Sequence, residues 1–148
     1  MDAFRKEKVD FRILARVEPE RVFDALATAQ GLDEWFTQGA ELDPHPGGKL
    51  IFRWVDYGLD RYTGEYHGKV LEARRPERYV FQWEADSGGY FTTVEIDFQP
   101  VDEGTVVHLI ESGYKDTPEG MQDLLNRVAG WAQVLTQMKY YLEHGVRY

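Results

Sequence analysis

The chain has 148 residues, a length that suits one domain. Its 17 basic and 26 acidic residues give a net charge of −9. Because so acidic a surface repels phosphate backbones and anionic lipids, we expect neither nucleic-acid binding nor membrane insertion. The absence of cysteine excludes disulfides, thiolate metal sites and cysteine nucleophiles. The first ten residues are charged and show no signal peptide, so a single cytoplasmic domain over residues 1–148 is expected.

The first predicted elements are a strand and two short helices. Hydrophobic residues alternate along residues 9–17, which is typical of a strand. Pro19 suits the first turn of a helix. Thr28 can cap a second short helix, in which Leu32 and Trp35 have helical spacing.

The middle of the chain, residues 39–113, is predicted to form strands joined by short turns. Glycine-rich and proline-containing turns separate hydrophobic runs, which favours an antiparallel meander. The predicted strands cover residues 50–55, 61–74, 79–83, 90–99 and 105–112.

One long helix of about 25 residues is predicted at the C-terminal end. Thr117 and Pro118 suit its N-terminus. Its apolar stripe is predicted to contain Leu124, Leu125, Val128, Trp131, Ala132, Leu135, Met138 and Leu142. The fold class is therefore α+β: a curved antiparallel sheet of about six to seven strands wrapped around the C-terminal helix, with two short helices after the first strand.

Eight short motifs follow one another along nearly the whole chain, at residues 19–23, 35–36, 47–49, 68–72, 76–83, 104–105, 111–114 and 130–131, and the run from Pro76 to Trp83 is the most specific. Together they resemble the helix-grip, START-like (SRPBCC) superfamily, and in particular the branch named after the activator of the Hsp90 ATPase.

The resemblance implies a deep cavity between the sheet and the long helix that holds a hydrophobic small molecule without a cofactor. Members of this superfamily include lipid carriers, hormone receptors and aromatic cyclases. The eukaryotic activator is larger and carries a separate domain that engages the chaperone, for which 148 residues leave no room. The resemblance therefore does not by itself predict activity on Hsp90.

Aromatic residues make up 14% of the chain, and we predict that many of them line this cavity rather than only fill the core. Strand parity groups Phe52 with Trp54, and Tyr79 with Phe81 and Trp83. The last strand is partly apolar on both faces, and there the resemblance turns Leu109 and Glu111 inward. The predicted ligand-binding residues are Trp35, Phe52, Trp54, Tyr66, Tyr79, Phe81, Trp83, Leu109, Glu111, Trp131, Leu135 and Met138.

Other chemistries find little support in the sequence. The residues around the Gly47-Gly48-Lys49 turn do not match a P-loop, and Ser112 lacks the flanking glycines of a nucleophile elbow. The four histidines stand apart without metal-ligand spacing, so no metal site is predicted. Only Glu111, with Tyr66 or Tyr79 nearby, is a candidate for acid–base chemistry. The alternative is a surface glutamate beside Lys115 or an arginine.

Three functions remain open. The leading one is a ligand-binding protein for a small hydrophobic or aromatic molecule, without a cofactor. The others are a cyclase or dehydratase that acts on a polyketide-like substrate, and a co-chaperone or stress-related accessory protein. The oligomeric state is also open, with a homodimer as one option, because Ile51, Val106 and Ile110 would form an apolar strip on the outer sheet face.

Overall fold

The helices and strands follow the predicted order. The computed structural model describes residues 3–148; Met1 and Asp2, which begin the charged N-terminal segment, lie outside the described residues. The elements are β1 (Val9–Ala15), α1 (Pro19–Ala27), α2 (Ala29–Trp35), β2 (Glu41–Leu42), β3 (Lys49–Tyr57), β4 (Tyr62–Arg74), β5 (Arg78–Glu84), β6 (Phe91–Val101), β7 (Gly104–Ser112) and α3 (Pro118–His144). Within residues 3–148, no helix is both long and apolar enough to cross a bilayer.

The strands form one antiparallel sheet of seven strands, in the order β1-β7-β6-β5-β4-β3-β2. Consecutive strands from β2 to β7 are neighbours, as in a meander, and β1 joins the free side of β7, where Val9 pairs with Glu111. The sheet, the long helix and the two short helices after β1 confirm the predicted α+β helix-grip fold. The two-residue strand β2 was not predicted, because it is too short to show a period in the sequence.

Side-chain caps define where two helices begin. The Thr28 hydroxyl accepts a hydrogen bond from the Gly31 amide at 2.9 Å, and the Thr117 hydroxyl accepts one from the Gly120 amide at 3.0 Å. Each bond satisfies an amide that has no partner within its helix. Helix α3 ends at Gly145, whose φ of 70° is the left-handed conformation that glycine adopts readily. The predicted caps at Thr28 and Thr117 are thus confirmed.

The inner face of the sheet is filled by aromatic rings. The predicted parity is confirmed on β3 and β5, where the inward residues Phe52 and Phe81 are buried. Ring centroids of Phe52 and Trp83 lie 4.9 Å apart, and those of Trp83 and Trp131 lie 5.6 Å apart. These contacts join the sheet directly to α3, so much of the space between them is packed core.

Two residues predicted for the apolar stripe of α3 are exposed instead. Leu125 is 55% exposed and Val128 is 46% exposed. The buried side chains of this helix include Leu124, Arg127 and Trp131, which follow one another at spacings of three and four. Arg127 thus takes the position on the buried face that the sequence analysis had given to its apolar neighbour Val128.

The predicted outer apolar strip is not formed. Ile51 is buried, and it lies on β3 opposite Glu41 of β2. Val106 and Ile110 lie on β7, and three strands separate β7 from β3 in the sheet. The three residues therefore do not share a continuous surface.

Candidate functional site

Glu111 lies at the inner face of β7 and is completely buried, which confirms its inward orientation and rules out the surface alternative. Four donors reach its carboxylate. Oε2 accepts from Trp83 Nε1 at 2.8 Å, from Thr92 Oγ1 at 2.5 Å and from the Arg127 guanidinium, and Oε1 accepts from Trp131 Nε1 at 2.7 Å. A buried carboxylate with this many donors is stabilised in place.

Arg127 is the partner of Glu111 that the sequence analysis missed. Its side chain is only 7% exposed, and its NH2 group donates to the Glu84 carbonyl at 2.6 Å and to Asp86 at 3.0 Å. Its guanidinium carbon also lies 4.2 Å from the centroid of the Trp83 ring, a cation–π contact. Burial alone would lower the pKa of Arg127, but the carboxylates of Glu111 and Asp86 outweigh that effect and raise it. We call Glu111, Arg127 and Asp86 the charged cluster.

The expected pairing of Glu111 with Tyr66 or Tyr79 is not found. The Tyr66 hydroxyl donates to Asp86 at 2.8 Å instead, and in the part of the chain that the structure describes the buried Tyr79 hydroxyl has no partner. Because Glu111 is buried and bound by four donors, its geometry is that of a structural anion. The acid–base hypothesis thus loses the tyrosine pair on which it depended.

A second buried carboxylate fixes the loop between β5 and β6. Asp123 of α3 accepts hydrogen bonds from the Ser87 amide at 2.9 Å, the Ser87 hydroxyl at 2.7 Å and the Tyr90 hydroxyl at 2.7 Å. These bonds hold the loop against the first turns of α3. The same loop carries Asp86, so they also help to position the charged cluster.

Several tyrosines of the core are held in the neutral form. Burial, followed by a hydrogen bond to Asp123, raises the pKa of Tyr90 to about 12. Burial also raises the pKa of Tyr66, Tyr79 and Tyr114, with Asp86 adding to the effect at Tyr66 and Glu111 at Tyr114. These hydroxyls therefore stay protonated at a pH near 10, where an unfolded tyrosine ionises.

The raised pKa values predict a loss of stability at alkaline pH. An unfolded tyrosine ionises near pH 10, so above about pH 10 the unfolded chain releases protons that the folded chain retains. The free energy of unfolding should be unaffected by these groups below that pH and fall as the pH rises above it. Urea titrations between about pH 8 and 11.5, with tyrosinate absorbance followed in parallel, measure this slope.

The control for the alkaline prediction is Tyr79→Phe. It removes one shifted phenol whose hydroxyl has no partner among residues 3–148, so it should change stability at pH 8 by less than about 1 kcal/mol. It should also make the decline above pH 10 shallower. An unfolding free energy that stays level up to pH 11, with tyrosines ionising in the folded protein, would contradict the prediction.

A cavity of about 470 Å³ lies between the β3–β4 hairpin and helix α3. We call it the hairpin cavity. The hairpin, the residue after α2 and the middle of α3 provide its walls, which consist of Phe36, Trp54, Tyr57, Gly58, Leu59, Asp60, Tyr62, Tyr66, Gly130, Gln133 and Val134. Five of these side chains are aromatic, and Asp60 is the one with a formal charge.

Two of the predicted ligand-binding residues, Trp54 and Tyr66, line the hairpin cavity. Tyr66 also joins the cavity to the charged cluster, because its hydroxyl is bound to Asp86. The others are buried in the core, and their contact with a ligand stays a prediction; they are Trp35, Phe52, Tyr79, Phe81, Trp83, Leu109, Glu111, Trp131, Leu135 and Met138.

The sequence analysis missed most of the cavity wall because residues 56–60, between the predicted strands 50–55 and 61–74, were given no structural role. A signal for the wall was present in the aromatic residues Tyr57 and Tyr62, which flank the hairpin tip, residues 58–61. In the structure the Tyr57 hydroxyl donates to Gln137 of α3 at 2.6 Å, which holds the hairpin onto the helix.

Two residues of the cavity wall, Trp54 and Gly130, leave a hydrogen-bond donor and a space unused. Trp54 is only 7% exposed, and among the described residues its Nε1 has no hydrogen-bond partner. Gly130 stands within α3, and a Cβ atom added there would have nothing within 4 Å. Since glycine inside a helix costs about 1 kcal/mol relative to alanine, no local packing explains its presence.

Solved structures share this fold over nearly the whole chain. The protein SSP2350 from Staphylococcus saprophyticus is 22% identical, with a TM-score of 0.76, and the match covers 96% of each chain. The Aha1 dimer from Colwellia psychrerythraea is 23% identical, with a TM-score of 0.74, and the match covers 94% of this chain and 98% of that one. DynU16, a protein of the dynemicin biosynthetic locus, is 18% identical with a TM-score of 0.80 over 97% of this chain, but only 51% of its own.

Comparison at the level of sequence families is more specific than the shared fold. No curated protein matches the chain significantly. The sequence model of the family described as "Activator of Hsp90 ATPase homolog 1-like protein" matches residues 16–143, which run from the end of β1 almost to the end of α3. The chain therefore belongs to the Activator of Hsp90 ATPase homolog 1-like family.

Proposed function

We propose that this chain is a binding protein for a small hydrophobic or aromatic molecule, which it holds in the hairpin cavity. The observation that carries the proposal is the cavity itself: about 470 Å³ lined by five aromatic side chains, within the size range and composition of natural ligand sites. The START-like fold supports the same conclusion, although a fold alone does not determine function.

The wall of the cavity adds two supporting details. Gly130 keeps the surface of α3 low where it borders the cavity, as a ligand ring would require. The unpartnered Nε1 of Trp54 is a donor that an acceptor group on the ligand could satisfy after a small ring movement. A largely apolar ligand with a polar group at one edge would fit both Gly130 and Trp54.

We further propose that the protein acts as a single cytoplasmic domain that forms a homodimer. The lack of cysteine suits a reducing compartment. The similar protein from Colwellia psychrerythraea is described as a dimer.

Binding of a neutral apolar probe is the direct test of the proposed function. N-phenyl-1-naphthylamine should quench tryptophan emission, because Trp54 lines the cavity and Trp83 lies one ring contact beyond Tyr66. It should also raise the melting temperature, since a ligand at about 100 times its dissociation constant adds about 2.7 kcal/mol of stability. Native mass spectrometry of the same preparation reports a co-purified small molecule and the dimer.

Gly130→Phe and Gly130→Ala form a matched pair for locating the probe. The phenylalanine places a ring in the cavity and should weaken probe binding at least tenfold, while the alanine should leave binding intact and stabilise the helix by about 0.5–1 kcal/mol. If the probe changes neither the emission nor the melting temperature of the parent protein, the proposed function is wrong. If Gly130→Phe binds it as tightly as the parent, the ligand lies elsewhere.

A further inference from the structure

We infer that the hairpin cavity selects organic cations: molecules with an aromatic or aliphatic body that carry an amine or quaternary ammonium group and no acidic group. This inference rests on the proposed function and adds the charge of the ligand to it. It depends on three observations. The wall contains several aromatic rings, the charge of its lining is negative, and the nearby arginines are already bound by oxygen atoms of the protein.

The wall contains a cluster of aromatic rings centred on Trp54. Its ring centroid lies between 5.4 and 6.5 Å from those of Phe36, Tyr57, Tyr62 and Tyr66. The face of an aromatic ring carries negative partial charge, and several faces around one space attract an ammonium group through cation–π contacts. An anionic group in the same position would be repelled by those faces.

The single charged side chain in the lining of the cavity is negative. Asp60 is the charged residue of the lining, and none of the described lining residues is basic. Behind the wall, Asp86 accepts the hydroxyl of Tyr66. Burial, followed by the negative charges of Asp86 and Glu84, raises the pKa of Tyr62, so the field of these carboxylates reaches the cavity.

The basic groups nearby are already engaged. Arg127 lies 5.6 Å from the Tyr66 ring, but Glu111 and Asp86 bind its guanidinium. Arg61 at the hairpin tip pairs with Asp56 at 2.7 Å. Arg147, whose positive charge reaches Tyr57, donates to the main-chain oxygens of Asp33 and Thr37 and is outside the lining.

Three naphthalene probes with matched rings test the charge preference. They are (2-naphthylmethyl)trimethylammonium, 2-naphthalenemethanol and 2-naphthaleneacetate, titrated against the full chain by tryptophan fluorescence in about 0.15 M salt, where distant charges are largely screened. We expect the ammonium compound to bind roughly tenfold more tightly than the alcohol. The carboxylate should bind most weakly.

Variants separate the local effect from the overall charge. Asp60→Asn should reduce the advantage of the ammonium probe several-fold, whereas Asp102→Asn, which makes the same charge change in the exposed turn between β6 and β7, should not. Tyr62→Leu should weaken the ammonium probe more than the alcohol, because it removes a ring face but keeps the wall apolar. Tyr62→Phe, which keeps the ring, should behave like the parent.

The results distinguish this inference from the proposed function. Equal affinities for all three probes would overturn the charge preference and leave the binding function intact. An equal loss in Asp60→Asn and Asp102→Asn would also overturn it, because the preference would then follow from the net charge of −9. If none of the probes binds, both proposals fail together.

Discussion

Arg127→Met is expected to lower the free energy of unfolding by about 3–5 kcal/mol. Methionine replaces the aliphatic part of the arginine side chain but lacks the guanidinium that faces Glu111 and Asp86. Glu111 would then remain fully buried with an uncompensated charge, since Trp83, Thr92 and Trp131 donate hydrogen bonds but carry no formal charge. Urea titration at pH 7 gives the difference directly.

Two variants make that result specific. Arg74→Met removes an arginine from a surface ion pair with Glu72 and should leave the unfolding free energy close to that of the parent. Adding Glu111→Gln to Arg127→Met should recover part of the loss, because it removes the uncompensated charge. If Arg127→Met unfolds within 1 kcal/mol of the parent protein, the charged cluster does not stabilise the fold as described.

Leu135→Ala is the second substitution with a large expected effect, a loss of about 2–5 kcal/mol. Leu135 is completely buried in the middle of α3, one turn beyond Trp131. Truncation removes apolar contacts with the core and leaves a void that the ring-filled interior cannot close fully. The midpoint and slope of a denaturant titration measure the loss.

The same helix provides a control of the same residue type. Leu125 is 55% exposed, so Leu125→Ala should change stability by no more than about 0.5 kcal/mol. Equal losses for the two alanine variants would mean that α3 presents a different face to the sheet. The pair therefore also tests the correction of the predicted apolar stripe.

Periodicity was sufficient to predict the architecture because most elements obey one period over several turns or residues. Period-two alternation identified the inward residues of β3 and β5, and the caps Thr28 and Thr117 marked helix starts. The stripe of α3 was correct at Trp131 and Leu135 but wrong at Leu125 and Val128. The stripe was composed of apolar residues alone, so Arg127, which is buried, was left out of it.

The candidate site was harder to predict, because it depends on contacts between distant parts of the chain. The inward direction of Glu111 followed from the family resemblance, but its partner Arg127 did not follow from any pattern. Its position three residues after Leu124 and four before Trp131 was the available signal. The walls of the hairpin cavity depend on how the β3–β4 hairpin lies on α3, and local sequence contains no information about that packing.

The pairing of β1 with β7 has a consequence for how the protein is made. Val9 is roughly 100 residues away from its partner Glu111 along the chain, and the core also requires α3, the last helix. During synthesis, β1 leaves the ribosome before β7 and α3 have been made. At ordinary elongation rates its apolar residues therefore stay without their partners for several seconds. Such non-local pairing slows folding. The packing of β1 with β7 and α3 therefore forms late in folding, once the chain is nearly complete.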